Sequence, residues 1–259
     1  VHDLTLTTVV LLCVAAALAG WVDAVVGGGG LLQVPALLIA FPQLAPVYAL
    51  GTNKAVSVVG TSAAAVTYAR KAPVDVRLAV RLGGVAALAS VGGAFFAAGV
   101  DSDVLRPLIM VLLLAVAAFV VLRPQFGQKP GAAPVDRRRI VTAIVVVGAG
   151  IGFYDGLLGP GTGTFLVIGL VALLSMDMVT ASATAKVVNV GTNLGALAIF
   201  TWQGTVLWAL APFMALFNLA GGTLGARMAL KRGSGFVRVV MLVVVVALVG
   251  KLAHDQWGG

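Results

Sequence analysis

The sequence predicts an all-α polytopic membrane protein. It predicts two inverted repeats of about five helical segments each, with broken or re-entrant helices at two glycine-rich motifs. Three observations carry this. Long apolar runs recur along the chain: 60% of the 259 residues are hydrophobic, 10% are charged and the mean hydropathy is +1.08. A soluble domain carries about 25% charged residues, and a β-barrel would need ~10-residue alternating strands. Second, residues return at one fixed offset of 132: Asp23/Asp155, Gly27/Gly159, Gly29/Gly161, Thr52/Thr184, Lys54/Lys186, Gly93/Gly225 and Arg106/Arg238. Third, equivalent connections in the two halves have opposite charge character. The connection after the third segment carries Arg70, Lys71, Arg77 and Arg81, and its twin, 202–209, carries no charge.

The first half, 1–122, divides into apolar segments at about 4–26, 31–41, 48–69, 74–99 and 103–122. A linker rich in Pro, Gly and Arg follows at 123–139. The second half, 140–259, divides at about 140–158, 161–175, 178–201, 206–230 and 236–253. The first run lacks a basic leader and a small-residue cleavage site, so it reads as a retained span. Twelve of the seventeen Lys and Arg residues fall in three polar connections, counting Arg81 with the first. By the positive-inside rule this places 70–77, 123–139 and 231–238 in the cytoplasm and both termini outside. That distribution also argues against nucleic acid as the partner of a chain with formal charge +8. The bilayer is the expected partner, and a homodimer is compatible with the sequence.

The second segment of each half is short. Leu31 to Phe41 makes roughly 16 Å of helix, about half of a ~30 Å hydrocarbon core. It follows Gly27, Gly28, Gly29 and Gly30, and a run of four glycines holds a helix poorly. The second copy reads Gly159-Pro160-Gly161-Thr162-Gly163. Unwound backbone inside a bilayer is tolerated only where protein buries it or it lines a cavity. The helix after each break begins with unpaired N–H groups and the positive end of its dipole, a cradle for a small anion. The third segments carry matching polar stripes: Lys54, Ser57 and Thr61 after Thr52 and Asn53, and Lys186, Asn189 and Asn193 after Thr184. The i, i+3, i+7 spacing puts each stripe on one helix face. These residues and the break glycines form the candidate anion site, with two lysines as its cationic complement. Close packing by the glycines and snorkelling by the lysines are the structural alternatives. Asp23 and Asp155, just ahead of the breaks, are read either as proton carriers or as partners of Lys54 and Lys186.

The one cysteine, Cys13, excludes a disulfide scaffold, and His2 and His254 lie near the termini, so no metal or other cofactor is expected. No convergent nucleophile, base or nucleotide-binding loop points to an enzyme. An Asp before a Gly-rich break, a short helix leading toward Pro35, and Gly51-Thr52-Asn53-Lys54, repeated in degenerate form, resemble the TauE/SafE family of membrane permeases. The resemblance covers nearly the whole chain and implies export, or in some members uptake, of sulfite or other small sulfur-containing anions such as organosulfonates. The second half departs from the pattern at Gly159-Pro160-Gly161-Thr162-Gly163 and at Thr184-Ala185-Lys186, which makes the two sites unequal. The expected function is therefore secondary transport of a small anion by alternating access in a bacterial inner membrane, with Asp23 or Asp155 as candidates for proton coupling. An anion channel and a non-transporting assembly subunit are the alternatives.

Overall fold

The structure is a computed structural model that describes residues 5–105, 107–108, 111 and 136–257, with side chains left out at 234, 238, 241–242 and 244–257. The fifth expected segment, 103–122, and most of the linker fall largely outside these residues, as do Arg106 and the Arg238 side chain. The described elements are helical: α1 (Leu6–Val26), α2 (Gly30–Ala40), α3 (Pro46–Ala69), α4 (Val76–Ala98), α5 (Arg137–Leu157), α6 (Thr162–Leu174), α7 (Met178–Trp202) and α8 (Ala211–Trp257). A π-helical stretch, Ile144–Gly150, lies inside α5. Gly233 (φ 72°, ψ −169°) breaks α8 into two limbs, the first being Ala211–Gly233. Five helices among the described residues are long and apolar enough to cross a membrane: α1, α4, α5, α7 and the first limb of α8. The 24-residue α3 is long enough as well, and its Thr52, Asn53, Lys54, Ser57 and Thr61 make it more polar.

Local chemistry sets the boundaries. Asp75, Asp136 and Asp177 cap α4, α5 and α7 by accepting N–H groups of the first turn, and Thr5 does the same for α1. Pro46 opens α3, where its missing N–H costs nothing. Gly27 ends α1 in the left-handed region (φ 80°), its N–H bonded to the Asp23 carbonyl at 2.8 Å.

Contacts along the helices fix their directions. Asn218 of α8 bonds Ala16 O at 2.9 Å, and Trp21 Nε1 reaches Met228 Sδ at 3.2 Å, so α1 and α8 run parallel. Thr52 Oγ1 accepts from Leu207 N at 3.0 Å, and Gly60 packs on Asn218 and Gly222, so α3 follows the same direction. The other bundle is α4, α5 and α7. Gly152 and Gly156 of α5 lie against Ala86 and Ser90 of α4, and Gly191 and Gly195 of α7 lie against Gly83 and Ala87. Those three are parallel too, and α3 crosses α7 antiparallel, with Gly51 beside Phe200. Each bundle therefore takes its α4- or α8-type helix from the other half of the sequence. Seams of Gly and Ala bring the backbones together. A Cβ on Gly221 would fall 1.9 Å from Ala17 O, and one on Gly156 would fall 2.0 Å from Ser90 O.

One face of the molecule gathers the ends of α3 and the first limb of α8 and the starts of α4, α5 and α7. It carries Arg70, Lys71, Arg77, Arg81, Arg137, Arg138, Arg139, Lys231 and Arg232. The other face, at 41–45, 99–103 and 203–210, carries Asp101 and Asp103 and no described Lys or Arg. Trp202 and Trp208 are exposed there.

Candidate functional site

The site is built where the two breaks touch. α1 and α2 form a hairpin: Asn218 bonds both Ala16 O and, at 3.2 Å, Gln33 Oε1, so α2 turns back beside α1. The 11 residues of α2 and 13 of α6 give about 16 and 20 Å of helix, too short to span. The hairpins meet glycine to glycine. A Cβ on Gly27 would lie 2.1 Å from Gly163 C, and one on Gly163 would lie 2.3 Å from Gly27 Cα. Thr164 N donates to Gly27 O at 3.2 Å, and Thr164 Oγ1 to Val26 O at 2.9 Å. Thr162 Oγ1 donates to Gly159 O at 2.7 Å. Tyr154 OH donates to Pro160 O, and Tyr68 OH to Ala24 O at 3.0 Å. The hydroxyls of Thr162 and Thr164 thus satisfy break carbonyls, as buried backbone requires.

The lysines and aspartates pair across the halves. Lys54 Nζ lies 2.7 Å from Asp155 Oδ1, with both side chains 2% exposed. Lys186 Nζ lies 3.0 Å from Asp23 Oδ2, which also accepts from Thr61 Oγ1 at 3.0 Å. The Lys186 contact is an ion pair without hydrogen-bond alignment, and Asp155 Oδ2 meets no donor among the described residues. Gly159, at φ 85°, makes the first pair sterically accessible, since a Cβ there would fall 2.9 Å from Lys54 Nζ. Each charge removed from water costs several kcal/mol unless it is paired, and pairing explains how four ionisable groups persist inside a helical membrane protein.

Between the pairs lies a small polar cavity. Asp23, Gly27, Gly30, Asn53, Lys54 and Ser57 line it from the first half, and Asp155, Gly159, Thr162, Gly163, Asn189 and Asn193 from the second. Ser57 Oγ lies 3.5 Å from Asn53 Oδ1, and Asn189 Oδ1 accepts from Thr192 Oγ1 at 3.1 Å and Asn193 Nδ2 at 3.4 Å. The remaining expected site residues stand back from the cavity. Thr52 holds the 203–210 connection, Thr61 holds Asp23, and Lys186 sits behind Asp23. Thr184 is buried, and Gly28, Gly29 and Gly161 shape the breaks. The two lysines are thus not free cations: four opposed charges around the cavity sum to zero. The bridge of Asn218 to Gln33 and Ala16 escaped the sequence reading, although an Asn in an apolar segment is itself a signal of interhelical bonding.

A bundle of apolar helices with paired charges and two short helices meeting at a polar cavity defines an integral membrane protein of the transporter class. The chain belongs to the sulfite exporter TauE/SafE family, whose model matches residues 12–252. It is 36% identical over 257 residues to the probable membrane transporter protein ORF9 of a Sinorhizobium species, across 98% of this chain and 95% of that one. It is 32% identical to the probable membrane transporter protein YfcA of Escherichia coli K12, across 94% and 88% of the two chains. A probable membrane transporter protein of Haemophilus influenzae is 31% identical over 250 residues, across 95% and 94%. These relatives are named as transporters, not enzymes. No solved structure matches the chain.

Proposed function

We propose that this protein is a secondary transporter, working as an exporter, for sulfite or another small sulfur-containing oxyanion or organosulfonate, by alternating access with proton coupling. The observation that carries the reading is the pairing across the halves, Lys54 with Asp155 and Lys186 with Asp23, around one cavity where the two glycine breaks meet. Two halves joined by paired charges at a central site suit rocking about that site. The antiparallel crossing of α3 and α7 supports an inverted repeat, since residues at the 132 offset then face the cavity from opposite directions. The family name supports the substrate class. The gathering of basic residues on one face supports a cytoplasmic position for 70–77, 123–139 and 231–238 in the inner membrane, with the termini outside.

The test is counterflow in proteoliposomes with sulfite, sulfate, thiosulfate, sulfonates and carboxylates at two proton gradients. The expected result is saturable exchange of a sulfur oxyanion that responds to the gradient. Non-saturating current identifies a channel, and silence for every anion sinks the reading. The double variant Lys54→Met/Asp155→Asn removes one pair without stranding a charge, and flux at the wild-type rate in it would displace the site.

A further inference from the structure

The geometry points to the Asp155 carboxylate as a tethered stand-in for the transported anion: a small monovalent oxyanion takes its place on the Lys54 ammonium while Asp155 carries a proton. This rests on the transport reading above and assigns the charge class of the substrate.

The first argument is charge. Lys54, Lys186, Asp23 and Asp155 sum to zero with both pairs made. One added negative charge in a buried cavity lacks compensation and costs several kcal/mol. One proton restores the balance for a monoanion and leaves a dianion one charge over.

The second argument is which pair opens. Asp23 Oδ2 is held by both Lys186 and Thr61. Asp155 rests on Lys54 through Oδ1 alone, and its buried Oδ2 meets no donor among the described residues. Asp155 is therefore anchored by its cation alone, whereas Asp23 keeps Thr61 as a second partner. Lys54 lines the cavity and Lys186 does not, so Lys54 is the ammonium an incoming anion reaches. Asn53, Ser57, Asn189 and Asn193 surround the same space with amides and a hydroxyl that suit an oxyanion's remaining oxygens.

Asp155 shares the cavity lining with Lys54 of α3, Asp23 of α1, Thr162 of α6, and Asn189 and Asn193 of α7, and Lys186 of α7 stands behind Asp23. On its own helix the neighbour is Tyr154, whose hydroxyl is engaged with Pro160 O. α4 packs on this level through Ser90 and Ala94, neither of which titrates. The proton comes from water, stays on Asp155 while the anion is bound and leaves when it leaves, and no covalent bond is made or broken in the anion.

The test is calorimetry on the purified full chain in detergent near neutral pH, with methanesulfonate as the monovalent probe and sulfate as the divalent one. Repeating each titration in two buffers of different ionisation enthalpy gives the protons taken up per anion. Wild type is expected to take up about one proton per methanesulfonate, with Kd rising about tenfold per pH unit, and to bind sulfate at least tenfold more weakly. Asp155→Asn is expected to bind methanesulfonate with no proton uptake and a flat pH profile. Wild-type binding without proton uptake, an Asp155→Asn variant that keeps the pH slope, or sulfate bound as tightly as methanesulfonate would overturn the assignment. Should Asp155→Asn fail to give a monodisperse protein, the wild-type proton count and the comparison with sulfate decide the assignment on their own. Absence of methanesulfonate binding also overturns it. Counterflow of some other anion would then leave the transport reading standing, and no counterflow would remove both.

Discussion

Lys54 Nζ lies beside position 159, which has no side chain, where it meets Asp155. A Cβ at Gly159 would lie 2.9 Å from Lys54 Nζ, at a backbone φ of 85° that costs an L-residue about 1–2 kcal/mol. Gly159→Ala should therefore lower the melting temperature in detergent by several degrees and weaken anion binding. Gly84, helical and with no atom within 4 Å of an added Cβ, provides the contrast. Gly84→Ala should be neutral or stabilise by about 0.5–1 kcal/mol. Equal melting temperatures for the two variants would contradict the steric account. Charge obeys a similar logic. Lys54→Met alone strands the Asp155 carboxylate and should cost about 3–5 kcal/mol, and adding Asp155→Asn should recover most of that loss. A double variant as unstable as the single one would show that the pair is not the unit. At this scale much was legible: glycine runs, intramembrane Lys and intramembrane Asp are each expensive enough to mark a site. The choice of partner was not. Sequence spacing says that a carboxylate needs a cation, and only the packing of one half on the other decides that Asp23 meets Lys186 and Asp155 meets Lys54.

Helix boundaries follow from single caps, and one of them makes stability depend on pH. Asp177 Oδ1 accepts from Val179 N at 2.9 Å and Thr180 N at 3.0 Å at the start of α7. Partial burial pushes its carboxyl up, but hydrogen bonds from Thr180 and from the Val179 and Thr180 N–H groups outweigh it, so the group titrates below the ordinary carboxylate range. A depressed folded-state value means that the stabilisation is complete above the unfolded value near 4 and fades as pH falls through the folded one. Asp177→Ala should cost about 1 kcal/mol at neutral pH, a difference that shrinks in acid and can be followed by thermal unfolding at stepwise lower pH. A gap that widens toward low pH would refute the cap. The polar bridge from Asn218 to Ala16 and Gln33 gives a second element-scale test. Asn218→Ala should cost about 1–3 kcal/mol, read as loosening of α2 in hydrogen exchange. Element boundaries were legible within a few residues because caps and breakers are local. The half-depth of α2 and α6 was legible from length alone, whereas their glycine-to-glycine contact depends on a fold that brings residues 27 and 163 together.

At the scale of the molecule, the described helices of neither half make a bundle by themselves. α4 packs on α5 and α7, and α8 packs on α1 and α3. Expressed separately, fragments divided between Lys129 and Pro130 should each be degraded. Expressed together they should accumulate and co-purify, and stable accumulation of either alone would argue against the exchange. The exchange also imposes an order in time. α4 leaves the ribosome before α5 and α7 exist, so the surface formed by Gly83, Ala86, Ser90 and Gly93 waits in the bilayer uncovered, and the Ser90 hydroxyl waits for the Thr192 carbonyl it bonds at 2.8 Å. Translation thus supplies a first half that holds its place until the second arrives, and a pause in synthesis near the linker would lengthen the interval in which quality-control proteases can find it.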